Sequence, residues 1–275
     1  MKSQTVNLSK FSSIKIGGNL DVFLLEDCNQ NYEDFYIIGS CNNVLMGTKS
    51  PPLLKLSKKY DYIKIENSTL KIGAATPSGK IASFCKKHNI ANFEFLSHLP
   101  GTLGGLVYMN AGLKEYEIFN HLLSITTCGG VFQKREIAYG YRFTNIKTPI
   151  LEAVFTLEYG YDKEKLLMFK SMRDNQPSAP SAGSCFKNPQ NDYAGRLIEA
   201  VGLKGYRVGG VEFSSKHANF LVNVQNGTFD DAIFLIQEAQ KRVYAEFKIW
   251  LECEIAVLDM RYMGENSPLH NPYKE

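Results

Sequence analysis

No excess of either charge marks this chain: 31 basic residues against 28 acidic ones leave a formal net charge of +3 over 275 residues. Such balance gives no support to nucleic-acid binding, which needs a concentrated basic surface, yet it does not repel an anionic small molecule. Long apolar runs are absent as well. Nothing approaches the roughly 18 consecutive apolar residues a membrane span requires, and Met1 to Phe11 has no apolar stretch of the signal-peptide kind. A soluble, cytoplasmic protein that does not engage a membrane is expected. The six cysteines, at positions 28, 41, 85, 128, 185 and 253, form no C-x-x-C pair, and no histidine stands at metal-ligand spacing. All six are read as reduced thiols, with no metal site. Internal repeats and low-complexity tracts are missing too.

What is present is ample core material, 44% hydrophobic residues, enough for two or three small subdomains. Short strands and helices alternate. Val22 to Leu25, Tyr36 to Ile38 and Leu53 to Leu56 read as strands, with Gly39 to Asn43 as a tight loop. Tyr62 to Ile65 and Leu70 to Ile72 flank a hairpin turn, and Ser78 opens a helix that ends on the cations Lys86 and Lys87. Leu122 to Thr127 and Val131 to Ile137 bracket Gly129-Gly130 as a second hairpin, and Ile150 to Leu157 adds a strand. A charged helix follows from Asp162 to about Asp174. The clearest helix starts at Thr228, capped with Asp230 and Asp231, and carries an apolar stripe from Ala232 to Phe247. Gly264 to Glu275 reads as a loosely held tail.

Four stretches carry chemistry. Ser181-Ala182-Gly183-Ser184-Cys185-Phe186-Lys187-Asn188-Pro189 puts a hydroxyl, an amine and an amide among turn-formers, which is poor core material and suits an active-site loop. Pro100-Gly101-Thr102-Leu103-Gly104-Gly105 reads as a turn entering a helix, whose bare backbone N–H groups suit a pyrophosphate. It is neither a P-loop nor a G-x-G-x-x-G fingerprint, and close packing alone accounts for its glycines equally well. Tyr141-Arg142 sets a guanidinium among aromatics, fit for a carboxylate or phosphate, although a solvated charge is the commoner reading. Alternation from Trp250 to Leu258 places Glu252 and Glu254 on one face, either plainly solvated or including one carboxyl raised in pKa by burial.

In their order along the chain, these motifs resemble the UDP-N-acetylenolpyruvoylglucosamine reductase family. The resemblance adds Ser13 to Gly18, the Gly39 loop, Phe95-Leu96-Ser97, Tyr108 to Gly112, Gly202 to Gly205 and Lys216 to Asn223, and so covers nearly the whole chain. The form S-A-G-S-C-F-K-N-P and the chain's shortness resemble the family's compact subtype. The resemblance implies an α+β protein: a vanillyl-alcohol-oxidase-type FAD-binding fold of two α/β lobes, 1–58 and 59–160, a C-terminal α+β substrate-binding lobe, 161–262, and a tail, 263–275. It implies NADPH-driven, FAD-dependent reduction of UDP-N-acetylglucosamine enolpyruvate to UDP-N-acetylmuramate in peptidoglycan synthesis, by a monomer.

Residue by residue, the resemblance makes Ser184 the proton donor, and Arg142 and Glu254 the pair that polarises the substrate carboxylate, with Glu252 in reserve. Lys187 is a candidate to assist Ser184. FAD contacts fall on Gly39, Ser40, Cys41, Asn42, Asn43, Pro100, Gly101, Thr102, Gly104, Gly105, Asn110 and Ala111. Tyr141, Lys187, Asn188, Lys204 and Asn219 fall to the substrate. The chain departs from the family at Cys41, in a loop usually richer in glycine, at Thr144 where Ser is usual, and at Cys253 where Pro is common. An oxidase of the same fold and a non-catalytic nucleotide-binding module are the other readings.

Overall fold

The computed structural model describes residues 1–265 and 267–272. Its chain divides into two compact units built from interleaved segments: Met1–Gln4, Val22–Ser40 and Leu53–Asp174 form the first, and Thr5–Asp21, Cys41–Pro52 and the chain from Asn175 onward form the second.

In the first unit, Leu53–Leu56 is flanked by Val22 to Leu25, the latter part of strand Asn19–Leu25, and by Tyr36–Ile37, both parallel to it, with Val22 and Tyr36 each in register with Leu53. Beside this set lies an antiparallel sheet in the order Gly130–Gln133, Leu122–Thr127, Ile150–Thr156, Thr69–Gly73 and Ile63–Glu66. The last two strands are joined at Asn67 and Ser68, both left-handed (φ 49° and 57°), the pairing a tight hairpin demands and that Asn tolerates well. Helix Ser78–Lys87 buries Ile81, Ala82 and Cys85 on one side. These residues join Leu70, Ile72, Leu106, Ile125 and Phe155 in a single apolar core.

The second unit has an antiparallel sheet in the order Ser181–Ser184, Phe220–Asn223, Val211–Phe213, Arg207–Val208, and a parallel pair, Val44–Met46 with Ala256–Leu258. Its core is organised by helix Phe229–Phe247. Thr228 caps that helix, accepting from Asp231 N–H while the Asp231 carboxylate accepts from Thr228 N–H, so two otherwise orphaned donors are satisfied. Ala232, Ile233, Leu235, Ile236, Ala239 and Val243 then face Ile14, Leu45, Phe186 and Leu197 in one cluster.

Several expectations need correction. Cys28 and Cys128 are joined as a disulfide, with Cα atoms 5.3 Å apart, so the six cysteines are not all reduced thiols. Cys128 sits in the hairpin between Leu122–Thr127 and Gly130–Gln133, and 100 residues of sequence separation hide the pairing from any local spacing rule. Ser181–Ser184 is a strand and not loop. The helix after Asp162 stops at Ser171. Regular alternation is confined to Ala256–Leu258, since Glu252 to Ile255 lie outside any strand. The described part of the tail is not loose: Leu269 is buried and its carbonyl accepts from Gln240 Nε2 at 2.9 Å and Trp250 Nε1 at 3.3 Å. The remainder of that tail, 266 and 273–275, lies outside the described residues. Among the described residues, no helix is long and apolar enough to cross a membrane, and no three His, Cys, Asp or Glu side chains cluster as metal ligands.

Candidate active site

Two of the glycine-bearing loops meet in the first unit. A Cβ added to Gly39 would collide with the Thr102 hydroxyl, so the lack of a side chain is what lets these backbones lie together. Thr102 is the N-cap of helix Leu103–Tyr108. Two of the N–H groups at that helix start serve the protein itself, Leu103 donating to the Thr76 carbonyl at 2.9 Å and Gly104 to that of Ala74 at 2.8 Å. The expectation that the turn bares its whole row of donors is corrected accordingly. Those of Gly101, Thr102 and Gly105 have no protein acceptor among the described residues.

Asn110 and Ala111 are buried. The Asn110 carboxamide donates to Glu117 Oε2 at 2.7 Å and to the Gly140 carbonyl at 3.1 Å, and accepts from Phe119 N–H at 3.3 Å. Its side chain is therefore committed internally, and it anchors the hairpin of Tyr139–Gly140 and Phe143–Thr144. Arg142 lies in that hairpin's two-residue turn with φ 54°, a left-handed conformation costly for a branched or long side chain and more often found where function demands it. The guanidinium donates to the Gly112 carbonyl at 3.3 Å and stacks over the half-exposed Tyr141 ring at 5.0 Å. The Thr144 hydroxyl donates to the Tyr108 carbonyl at 2.5 Å.

In the second unit the Gly39 loop continues through Cys41, Asn42 and Asn43. Cys41 is left-handed (φ 51°), a conformation that glycine adopts at no steric cost. Ser13 Oγ donates to the carbonyls of Cys41 and Asn42. Asn43 reaches further, since its Nδ2 donates to the Glu254 carbonyl at 2.9 Å and its own carbonyl accepts from Ala256 N–H at 3.0 Å. Sequence spacing gave no sign of that tie.

Ser184 ends its strand opposite Phe220, after a bulge at Gly183 (φ 84°) that has open space on its Cα. The next residues are registered against the Glu252 segment: Glu254 N–H donates to the Cys185 carbonyl and Lys187 N–H to the Glu252 carbonyl, both at 2.9 Å. Ser184 and Glu254 are thus held on adjoining backbone, and both are half-buried. Glu252 instead points outward, 72% exposed, and binds Lys187 Nζ at 2.6 Å. The two carboxylates that alternation left equivalent thus differ in their surroundings. Burial, with Cys253 and Glu254 nearby, drives the Cys185 thiol well above its ordinary pKa, and burial pushes Cys253 up to about 12. Both remain neutral thiols and poor nucleophiles.

The remaining expected substrate ligands have internal partners. Asn188 Oδ1 accepts from Ala194 N–H at the start of helix Ala194–Ala200, and Lys204 pairs with Glu199 at 2.9 Å on the surface. Asn219 is buried with its carboxamide spent on the Phe186 backbone.

Residues 22–143 match the family described as FAD binding domain, so fold and site together define an FAD-binding protein of the α+β class. Residues 176–258 match the C-terminal domain of UDP-N-acetylenolpyruvoylglucosamine reductase. A protein of that name from Helicobacter hepaticus is 45% identical, the match covering 94% of this chain and 100% of the relative. Another, from Campylobacter jejuni, is 44% identical over 92% and 99%. The crystal structure of the Thermus caldophilus reductase superposes with a TM-score of 0.82 at 26% identity, covering 94% of this chain and 99% of that one. The chain belongs to the UDP-N-acetylenolpyruvoylglucosamine reductase family.

Proposed function

We propose that this protein is an FAD-dependent UDP-N-acetylmuramate dehydrogenase, using NADPH to reduce UDP-N-acetylglucosamine enolpyruvate for peptidoglycan synthesis, as a cytoplasmic monomer. The residues fit the flavin: the side-chain-free contact of Gly39 with the Thr102 turn and the N–H groups of Gly101, Thr102 and Gly105 make a cradle for a pyrophosphate. Ser40 to Asn43, Pro100, Gly104 and the backbone at Asn110 and Ala111 complete the set proposed to hold it. When bound, FAD would supply the hydride chemistry, passing hydride from NADPH to the terminal carbon of the substrate's double bond.

As hydride arrives, negative charge gathers on the carbon next to the carboxylate and on the carboxylate itself. Arg142 binds that carboxylate, and Glu254, in its protonated form, donates a hydrogen bond to it, so that both stabilise the developing charge. The Ser184 hydroxyl then delivers a proton to the same carbon, completing addition of H⁻ and H⁺ across the double bond. Lys187, Asn188 and Lys204, with Tyr141, bind the nucleotide and sugar, Lys187 exchanging its Glu252 partner for phosphate. The three-lobe division at 58 and 160 belongs to the same proposal.

The observation that carries this reading is the common backbone register of Ser184 and Glu254 through Cys185, which sets a hydroxyl and a carboxyl on adjoining backbone, as delivery of a proton beside a bound carboxylate needs. Anaerobic reduction by NADPH followed by addition of the enolpyruvyl substrate tests it. Ser184→Ala should still bleach with NADPH and then reoxidise at least ~100-fold more slowly, within the range for loss of a general acid. Reoxidation of Ser184→Ala at the unmodified rate removes Ser184 from the mechanism; preferential reoxidation by oxygen favours the oxidase, and a protein that takes up no FAD favours the nucleotide module.

A further inference from the structure

Asn219 does something a substrate ligand would not be free to do. It is 3% exposed and stands immediately before strand Phe220–Asn223, where the ladder with Ser181–Ser184 runs out. Its side chain continues that ladder. Oδ1 accepts from Phe186 N–H at 3.0 Å, and Nδ2 donates to the Phe186 carbonyl at 2.8 Å. A carboxamide has the donor and acceptor of a peptide group, so it replaces the strand residue that the diverging backbone no longer supplies. The Asn219 carbonyl also accepts from Cys185 N–H at 2.7 Å.

Asn219 is itself held. Its N–H donates to His217 Nδ1 at 3.3 Å, which requires the imidazole to be unprotonated at that nitrogen. Burial lowers the His217 pKa, with the Lys204 charge acting in the same direction, so that lone pair is retained. On the far side, Cys185 to Lys187 carry the register that fixes Glu252 to Glu254. Three hydrogen bonds from one residue therefore set the backbone on which both Ser184 and Glu254 depend.

We propose that Asn219 is a positioning residue that holds Ser184 and Glu254 in their working register and makes no contact with substrate. This rests on the assignment of Ser184 and Glu254 above. Losing the clamp leaves two buried Phe186 backbone groups unpaired and lets the Ser184 hydroxyl drift. A displacement of about 1 Å in a reacting group costs on the order of 100-fold in rate.

The test uses the FAD-loaded protein and separates the half-reactions. For Asn219→Ala, bleaching by NADPH should stay within ~2-fold of the unmodified rate, while reoxidation at saturating UDP-N-acetylglucosamine enolpyruvate falls by about 100-fold with the substrate Kd little changed. Because Asn219 acts through Ser184 as well as Glu254, adding Asn219→Ala to Ser184→Ala should slow reoxidation by much less than the about 100-fold that Asn219→Ala costs alone. A large rise in Kd with the saturated rate preserved makes Asn219 a ligand and overturns the proposal; so does a double variant in which the losses multiply. If Asn219→Ala does not fold, Asn219→Asp, which keeps the acceptor for Phe186 N–H, takes its place with the same expected pattern and the same refutations. Full reoxidation by Ser184→Ala alone refutes the underlying assignment, whereas impaired Ser184→Ala beside normal Asn219→Ala refutes only the positioning role.

Discussion

Reducing the Cys28–Cys128 bond should destabilise the first unit measurably. The bond closes a loop of 100 residues, and the chain-entropy treatment assigns such a loop about 4.7 kcal/mol of restriction in the unfolded chain. Native disulfides typically deliver about 2–4 kcal/mol, because unfolded chains retain structure. At about 2–4 °C per kcal/mol for a protein of this size, the reduced protein should melt roughly 5–15 °C lower. The comparison is thermal unfolding of the FAD-loaded protein with and without a phosphine reductant, repeated on Cys28→Ser/Cys128→Ser. Alkylation followed by mass measurement counts the thiols in each sample. Reductant should lower the melting point of the unmodified protein to that of the double variant and leave the variant unmoved. Two results refute the reasoning: six alkylatable thiols in air-oxidised, denatured protein, or an unchanged melting point once the bond is shown to be reduced.

Gly39→Ala should cost about 1–3 kcal/mol through overpacking against Thr102 and lower the flavin-to-protein absorbance ratio, and Thr102→Ala in the same chain should restore both; a lone Gly39→Ala with normal flavin content contradicts the contact. Asp259 is buried and bound by the Arg261 guanidinium, which holds its carboxyl well below the ordinary value of 3.8. Its stabilising contribution is complete above that unfolded value and is lost as pH falls towards the depressed folded one. Urea midpoints should therefore separate the unmodified protein from Asp259→Asn at pH 7, with the gap beginning to narrow only once pH falls below the ordinary value of 3.8; a gap independent of pH rules this out.

Much of the fold is legible where the determinant is local. The Thr228 cap and the stripe from Ala232 to Val243 announce their helix, and Asn67-Ser68 between apolar runs announces its hairpin. Legibility fails where partners are distant. Val44–Met46 is three residues long and finds its strand only at Ala256–Leu258, so periodicity had nothing to register. Glu252 and Glu254 are two residues apart and equivalent by alternation, yet Lys187 takes one and the Cys185 backbone sets the other. Asn219 was visible as a polar residue heading the apolar run Phe220 to Val222, a setting that calls for internal partners. Its partner Phe186, 33 residues earlier, was not.

The interleaving of the two units has a consequence for the order in which the protein can be made. Ile14, Ile16 and Leu45 belong to the second unit's core, whose other members begin at Ala182. During synthesis these residues emerge early and wait, without their permanent neighbours, while the whole of Leu53–Asp174 is added. The first unit can mature while the ribosome is still at work, but the second cannot close until Ala256–Leu258 has left it. A chain truncated after Asp174 therefore leaves Ile14, Ile16 and Leu45 without the neighbours that bury them, apolar surface of the kind that makes incomplete chains prone to aggregate.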